Sequence, residues 1–452
     1  MKSRQAAARA FSSSSVIQQR CPGCLRPLAP VNGRQRTFGT YYNPARRRGQ
    51  STWAQAVFAA QHILGSESRA DSRLEGLSVD PLQVVGKEMR FLTQNIQQLL
   101  GSGHPMLDTV AKYYTKSEGK HMRPLLVLLM SRAISTTPKS SRRPSVPTAT
   151  RINDPISPST ILSDTNPSSL QSISVSPPVS DAFEGSDILP SQRRLAEITE
   201  LIHTASLLHD DVIDSSISRR SSPSANISFG NKMAVLAGDF LLGRASVALA
   251  RLRDAEVIEL LATVIANLVE GEFMQLKNTA QEEAKPIWTE DTLTYYLQKT
   301  YLKSASLISK SCRAAALLGQ CSPDIVDAAY LYGRNLGLAF QLVDDMLDYT
   351  TSGEELGKPA GADLELGLAT APLLFAWRKH KELGVLVSRK FTGVGDVQMA
   401  RDIVLRSDGI EQTRALAQEY ADKAIQAISN FPPSEAKEGL LDMCEKATKR
   451  RK

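Results

Sequence analysis

From about residue 81 to the C-terminus, apolar residues recur at spacings of three and four, and strand-like alternation is nearly absent. That is the period of an amphipathic helix, so the pattern predicts an all-α chain. Expected helices run over 81–100, 105–115, 121–134, 192–214, 231–252, 254–277, 289–318, 323–350, 369–381, 396–405, 410–430 and 434–448. No fixed-period repeat points to a solenoid. One stretch breaks the pattern: residues 135–190 are rich in Ser, Thr and Pro, with Phe183 as their only aromatic residue. Such a segment buries too little surface to offset the entropy of ordering, so a disordered insertion is expected. Linked motifs lie on both sides of it, so it should interrupt one domain that runs over 81–452.

Charge changes the picture at the N-terminus. The 452-residue chain carries a net +7, but residues 1–66 hold ten Lys/Arg and no Asp or Glu, which leaves 44 basic against 47 acidic residues beyond them. The positive charge belongs to a leader and argues against a nucleic-acid partner. Rich in Arg, Ser and Ala, and free of acids up to Glu67, residues 1–66 have the composition of a mitochondrial transit peptide; plastid targeting shares part of it. Five scattered cysteines make no disulfide framework, and Cys21 and Cys24 lack a second pair for zinc. No run of about 18 apolar residues predicts a transmembrane helix, so any membrane contact, such as with a mitochondrial inner membrane, should be peripheral.

The strongest chemical signal is His209-Asp210-Asp211-Val212-Ile213-Asp214, at the end of the apolar-periodic run Leu195, Ile198, Ile202, Ala205, Leu208. On a helix, His203, Asp210 and Asp214 project from one face within roughly twenty degrees. Stacked carboxylates repel unless a cation lies between them, and hard oxygen ligands of this kind suit Mg²⁺ with substrate phosphates. A lone DDxxD is as well explained by a solvated helix end, but a second one follows another apolar run: Asp344-Asp345-Met346-Leu347-Asp348, with Gln341 one turn earlier. Candidate phosphate-binding cations are Lys120 and Arg123 in Gly-Lys-His-Met-Arg-Pro, the pair Arg219-Arg220, Lys299 and Lys358. Arg can fork onto two phosphate oxygens, whereas Lys acts as a point charge.

These motifs, with EITELIHTASLLHDDVID (197–214), GNKMAVLAGDFLLGRA (230–245), GEFMQL (271–276), YLQKTYLKSASLI (296–308), GLAFQLVDDMLDY (337–349) and GKPAGADLELGLATAP (357–372), make the chain resemble the trans-type long-chain polyprenyl diphosphate synthases of quinone biosynthesis. The resemblance implies the isoprenoid synthase fold, a single large helical bundle around a central cavity. It also implies a homodimer or a larger, hetero-oligomeric assembly, and about two to three Mg²⁺ ions per site. It places metal binding on Asp210, Asp214, Asp344, Asp345 and Asp348, and catalysis on Asp210, Asp211, Asp214, Asp344, Asp345 and Lys299. Isopentenyl diphosphate would be held by Lys120, Arg123, His203 and Arg220. The allylic diphosphate would meet Arg219, Lys299, Thr300, Gln341 and Lys358. Ser221 departs from the Gly that often follows the Arg pair, and His121 from a common basic residue. The basic end Lys449-Arg450-Arg451-Lys452 is expected to be a solvated tail, although in this family it could fold over the substrate.

The implied chemistry is ionisation of the allylic diphosphate, condensation with the isopentenyl double bond, and elimination, with oxygens of Lys299, Thr300 and Gln341 as cation stabilisers. Product length should depend on Ala205 and Ser206, one turn below Asp210, where small side chains leave room for a growing tail. Ile198 or Ile202 could set the floor instead. Rival readings are a geranylgeranyl-type short-chain synthase, a non-catalytic partner subunit and a terpene cyclase. The intact clusters disfavour the last two, and product sizing separates the first.

Overall fold

Proline and local side-chain caps set where the helices begin, and buried apolar faces decide how they pack. The computed structural model describes residues 80–115, 121–140, 187–219, 222–280, 287–350 and 361–450. The leader 1–66, the Cys21 and Cys24 pair, residues 141–186 of the insertion, and Lys120, Arg220, Ser221 and Lys358 lie outside these residues.

In chain order the elements are α1 (Pro81–Val84), α2 (Gly86–Leu99), α3 (Pro105–Ala111), α4 (Met122–Ala133) and α5 (Pro190–Ile213). An antiparallel hairpin follows, β1 (Ser218–Arg219) with β2 (Ser222–Pro223), in which Arg219 pairs with Ser222. Then come α6 (Ala225–Phe229), α7 (Asn231–Arg251), α8 (Ala255–Ala280) and α9 (Glu290–Thr300). A π turn over Tyr301–Ala305 leads into α10 (Ser306–Leu318) and α11 (Pro323–Thr350). The chain closes with α12 (Ala362–Glu365), α13 (Ala371–Trp377), α14 (Leu383–Ser388), α15 (Asp396–Arg406), α16 (Gly409–Ala427) and α17 (Glu435–Thr448).

The expected all-α class is correct, with three local differences. The helix expected over 81–100 breaks at Val85, whose φ of −117° and ψ of 29° are not helical. The helix expected over 289–318 contains the π turn, where the Ser306 N–H reaches Tyr301 O, five residues back. Residues 135–140, expected to belong to the disordered insertion, are tied down: Ser140 N–H donates to Gln320 O (2.7 Å) and Ser322 N–H to Pro138 O (3.1 Å). On the far side α5 begins at Pro190, where the missing N–H costs nothing, and Gln192 reaches back to accept from Leu189 N–H (2.9 Å).

Helix α5 buries Leu195, Ile198, Ile202, Ala205 and Leu208 completely, which directs its opposite face toward the site. Helix α11 runs through both apolar clusters, contributing Leu336 and Ala339 to one and Leu342 and Val343 to the other. It lies against α10 and α16. A Cβ on Gly337 would sit 2.7 Å from Ala305 Cα, and one on Gly333 would sit 2.8 Å from Ser309 Cα. These glycines let α11 touch the π turn and α10 backbone to backbone.

Helix α7 is long and apolar enough, at a mean hydropathy of 1.5, to cross a membrane. Here it is a bundle helix: Ala234, Ala237, Leu241, Ala245 and Ala248 are buried, and α7 packs on α5. Its Arg244 donates to Gly101 O (2.7 Å).

Candidate active site

The end of α5 carries the first aspartate cluster. Asp210 and Asp214 are half-buried and point the same way, as their four-residue spacing requires. Burial foremost, with Glu272 and Asp214, pushes Asp210 up to about 6, against the opposing pull of Lys303 and Arg219. Burial also pushes Asp214 up. Desolvated carboxylates in each other's field are a donor set short of positive charge, and hard oxygens fit Mg²⁺. Among the described residues, no three His, Cys, Asp or Glu side chains already converge as a ready-made metal cage.

Asp211, one residue further round the helix, points elsewhere. It is fully buried, accepts from Arg219 Nε (2.9 Å) and Nη2 (2.6 Å), and accepts a short hydrogen bond from the Tyr114 hydroxyl. Two turns earlier on the Asp210 face of α5, His203 Nε2 meets Arg123 Nη1 at 2.9 Å. Arginine can only donate, so His203 Nε2 accepts and its ring proton sits on Nδ1. Two residues expected to hold isopentenyl diphosphate are thus adjacent in space. His121, in a left-handed conformation (φ 39°) at the start of α4, contacts Glu200 through Nδ1 at 3.0 Å.

Helix α9 and the π turn supply the next wall. Lys299 is buried over the Tyr296 ring, 5.6 Å from its centroid; burial lowers its pKa, and Asp345 opposes that shift. Thr300 is buried beside it. One turn on, Lys303 pairs with Glu272 (2.5 Å) and donates to Gln275 Oε1 (3.0 Å). A Cβ on Gly271 would meet Lys303 Cγ at 2.6 Å, so glycine is what lets α8 approach this turn. Lys303 acts on the first cluster and Lys299 on Asp345, so the two lysines link the electrostatics of both clusters.

The second cluster, at the end of α11, is not a copy of the first. Asp344 is partly exposed and is paired with Arg450, whose guanidinium lies over Phe340 at 4.3 Å from the ring centroid. Asp345 is buried; it accepts from Tyr296 OH (2.5 Å) and Gln341 Nε2 (2.8 Å). Ser304 donates to Gln341 Oε1 (2.7 Å), which fixes the orientation of that amide. Asp348 is fully buried and accepts from the Asp363 N–H (3.2 Å). Arg450 is not the solvated tail residue that was expected: its aromatic and carboxylate contacts fold it onto the site.

Of the chain-length candidates, Ala205 is buried in the core, while Ser206 is half-buried and donates to His203 O (2.9 Å). Residue-by-residue reading passed over Glu272, Gln275, Lys303, Tyr114 and Tyr296. The signal for Lys303 was spacing: Tyr296, Lys299 and Lys303 stand at i, i+3 and i+7. Tyr114 gave none, because its contact lies 97 residues away.

Residues 175–404 match the family model described as polyprenyl synthetase. The chain is 64% identical to the probable mitochondrial hexaprenyl pyrophosphate synthase of Neurospora crassa, over 97% of this chain and 96% of that protein. It is 47% identical to the mitochondrial hexaprenyl pyrophosphate synthase of Saccharomyces cerevisiae, over 90% of this chain and 96% of that one. Among solved structures, a polyprenyl synthase from Caulobacter crescentus, complexed with calcium and isoprenyl diphosphate, is similar with a TM-score of 0.66 and 28% identity, covering 84% of this chain and 100% of that one. An all-helical bundle with two aspartate clusters and this ancestry is an isoprenoid-synthase-type enzyme. The chain belongs to the polyprenyl synthetase family.

Proposed function

We propose that this chain is a mitochondrial trans-polyprenyl diphosphate synthase. It adds successive isopentenyl diphosphate units to an allylic diphosphate, making the long all-trans chain of a ubiquinone side chain. The observation that carries this reading is near-full-length identity of 64% to a hexaprenyl synthase. The two aspartate clusters and the Arg123–His203 pair support it. The leader composition and the mitochondrial relatives support the location.

Asp210, Asp214 and Asp344 are the accessible carboxylates that would hold Mg²⁺, with Asp345 and Asp348 behind Asp344. When bound, Mg²⁺ supplies Lewis-acid neutralisation of the departing diphosphate. The chain's own residues do the rest. Arg123 and His203, with Lys120 and Arg220, hold isopentenyl diphosphate. Arg219, Lys299, Thr300 and Lys358 hold the allylic diphosphate, and charge placed in advance where charge develops lowers the barrier. Gln341, locked by Ser304 and Asp345, presents a fixed dipole to the allylic cation. The π turn directly after Thr300 fits this role, since such turns concentrate at functional sites.

The functional unit is proposed to be a homo-oligomer. Val269, Phe273 and Leu276 form an i, i+4, i+7 stripe on α8, and Val235 and Leu236 add apolar surface on α7, all of it exposed. Patches of this kind mark interaction surfaces.

The test is to incubate purified protein with farnesyl diphosphate, labelled isopentenyl diphosphate and Mg²⁺, and to size the products. Long all-trans polyprenyl diphosphates are expected. Products no longer than geranylgeranyl diphosphate would refute the long-chain reading, and no product would refute the enzymatic one.

A further inference from the structure

Asp211 belongs to the first aspartate motif, yet its carboxylate is fully committed inside the protein. The Arg219 guanidinium grips it along one edge, Nε at 2.9 Å and Nη2 at 2.6 Å from Oδ1. The Tyr114 hydroxyl closes on Oδ2. The polarity of this contact is determined. The Ala225 N–H, at the first residue of α6, has only a proton to give, and it donates to the Tyr114 oxygen at 2.8 Å. The single phenolic proton must therefore go to Asp211, which accepts on both oxygens. Arg219 is the last residue of β1, opposite Ser222 of β2. The hairpin itself is braced by the neighbouring Tyr113, whose hydroxyl donates to Pro223 O (2.9 Å) and whose ring meets Phe229 edge-on at 5.1 Å. Held by Nε and Nη2, Arg219 has no partner for Nη1 among the described residues, and its side chain keeps 27% exposure.

We propose that Asp211 and Tyr114 are positioning residues: they do not ligate metal, but hold the Arg219 fork by one edge so that Nη1 faces the allylic diphosphate. This rests on the reading of Arg219 as a diphosphate ligand. Holding the guanidinium in advance removes the rotamer cost that an exposed arginine meets on binding. Asp211 is placed for this by helix geometry, since it lies about 100° round α5 from Asp210.

The test uses the full chain and four variants: Asp211→Asn, Tyr114→Phe, Arg219→Gln and the Tyr114→Phe/Asp211→Asn double. Binding of farnesyl thiodiphosphate in the presence of Mg²⁺ is measured by calorimetry, with the Mg²⁺ half-saturation of activity, kcat, KM and Tm. Arg219→Gln should weaken analogue binding roughly tenfold or more, the size of one lost charge-assisted hydrogen bond. Asp211→Asn should do nearly the same, and Tyr114→Phe should weaken it about threefold to tenfold. The loss should appear in the KM for the allylic substrate rather than for isopentenyl diphosphate. The double variant should be little worse than Asp211→Asn alone, because both act through one group. Mg²⁺ half-saturation should stay within about twofold of wild type in all four variants, with Asp210→Asn as the contrasting control.

If Asp211→Asn raises the Mg²⁺ requirement as Asp210→Asn does, Asp211 is a metal ligand and the inference fails. Should Tyr114→Phe, which removes one oxygen and keeps the ring, lower Tm without moving analogue affinity, the network is only structural. If Arg219→Gln binds the analogue as wild type does, the reading of Arg219 fails and takes this inference with it. Strong loss in Arg219→Gln with none in Asp211→Asn overturns the inference alone.

Discussion

Arg450 and Mg²⁺ would compete for the same carboxylate, which gives a prediction of unusual sign: removing a cation from the site should tighten metal binding. The Arg450 guanidinium is paired with Asp344 Oδ1, with side-chain exposures of 22% and 32%, and lies over Phe340. An ion pair this accessible is screened, so its worth is about 1 kcal/mol. Divalent metal held at Asp344 would have to displace it, and relief of that competition would correspond to about fivefold in affinity. Arg450→Ala should therefore lower the Mg²⁺ concentration for half-saturation about fivefold, read by calorimetry in the presence of a non-reactive allylic analogue. The Tm without Mg²⁺ should drop slightly, and the Tm with saturating Mg²⁺ should change less. Asp344→Asn is the control, since it should weaken metal binding and make the Arg450 substitution silent. An unchanged or raised Mg²⁺ requirement in Arg450→Ala would mean that the tail does not compete for Asp344.

Three further outcomes follow from packing. Ser206→Phe should shorten the product, because Ser206 is half-buried beside His203, and its ring would intrude on the elongation path; a wild-type product length on sizing would refute this. Ala205→Phe should instead cost roughly 1–3 kcal/mol by overpacking, seen as lowered Tm, because Ala205 is fully buried. Gly333→Ala would put its methyl 2.8 Å from Ser309 Cα and 2.9 Å from Ile308 O, both backbone-bound and unable to turn aside. The strain should exceed the roughly 1 kcal/mol that alanine gains in a helix, lowering Tm by a few degrees; a Tm at or above wild type would show that α10 and α11 can part at no cost.

Sequence revealed what repeats along one helix and hid what depends on a second. The faces of α5 and α11 were legible because apolar spacing fixes a helix's buried side, and with it the direction of Asp210, Asp214 and Asp344. The pairing of Arg123 with His203 spans 80 residues and was not legible; the family resemblance implied only that both would hold isopentenyl diphosphate. The hairpin under Arg219 was missed because two-residue strands carry no alternation to read. The π turn was missed because YLQKTYLKSASLI keeps helical periodicity through it; the extra residue per turn is accommodated by Gly337 on α11, whose lack of a side chain admits Ala305. The tail went astray because a run of four basic residues reads as solvated until Phe340 and Asp344 are seen beneath Arg450.

The two motifs share the DDxxD spacing, yet their environments differ. In a helix, positions i and i+4 share a face and i+1 lies about 100° away. At the first motif this holds simply: Asp210 and Asp214 remain half-accessible and Asp211 turns inward to Arg219 and Tyr114. At the second, i+1 again turns inward, with Asp345 bound by Tyr296 and Gln341, but i+4 is covered as well. Asp348 accepts from Asp363 N–H, and Gly361 N–H closes on its carbonyl (3.1 Å), so the start of α12 caps the end of α11. One motif therefore offers two carboxylates and the other chiefly one. If both clusters hold Mg²⁺, that asymmetry would give the first the larger share of the ligands, with Asp344, screened by Arg450, as the main donor of the second.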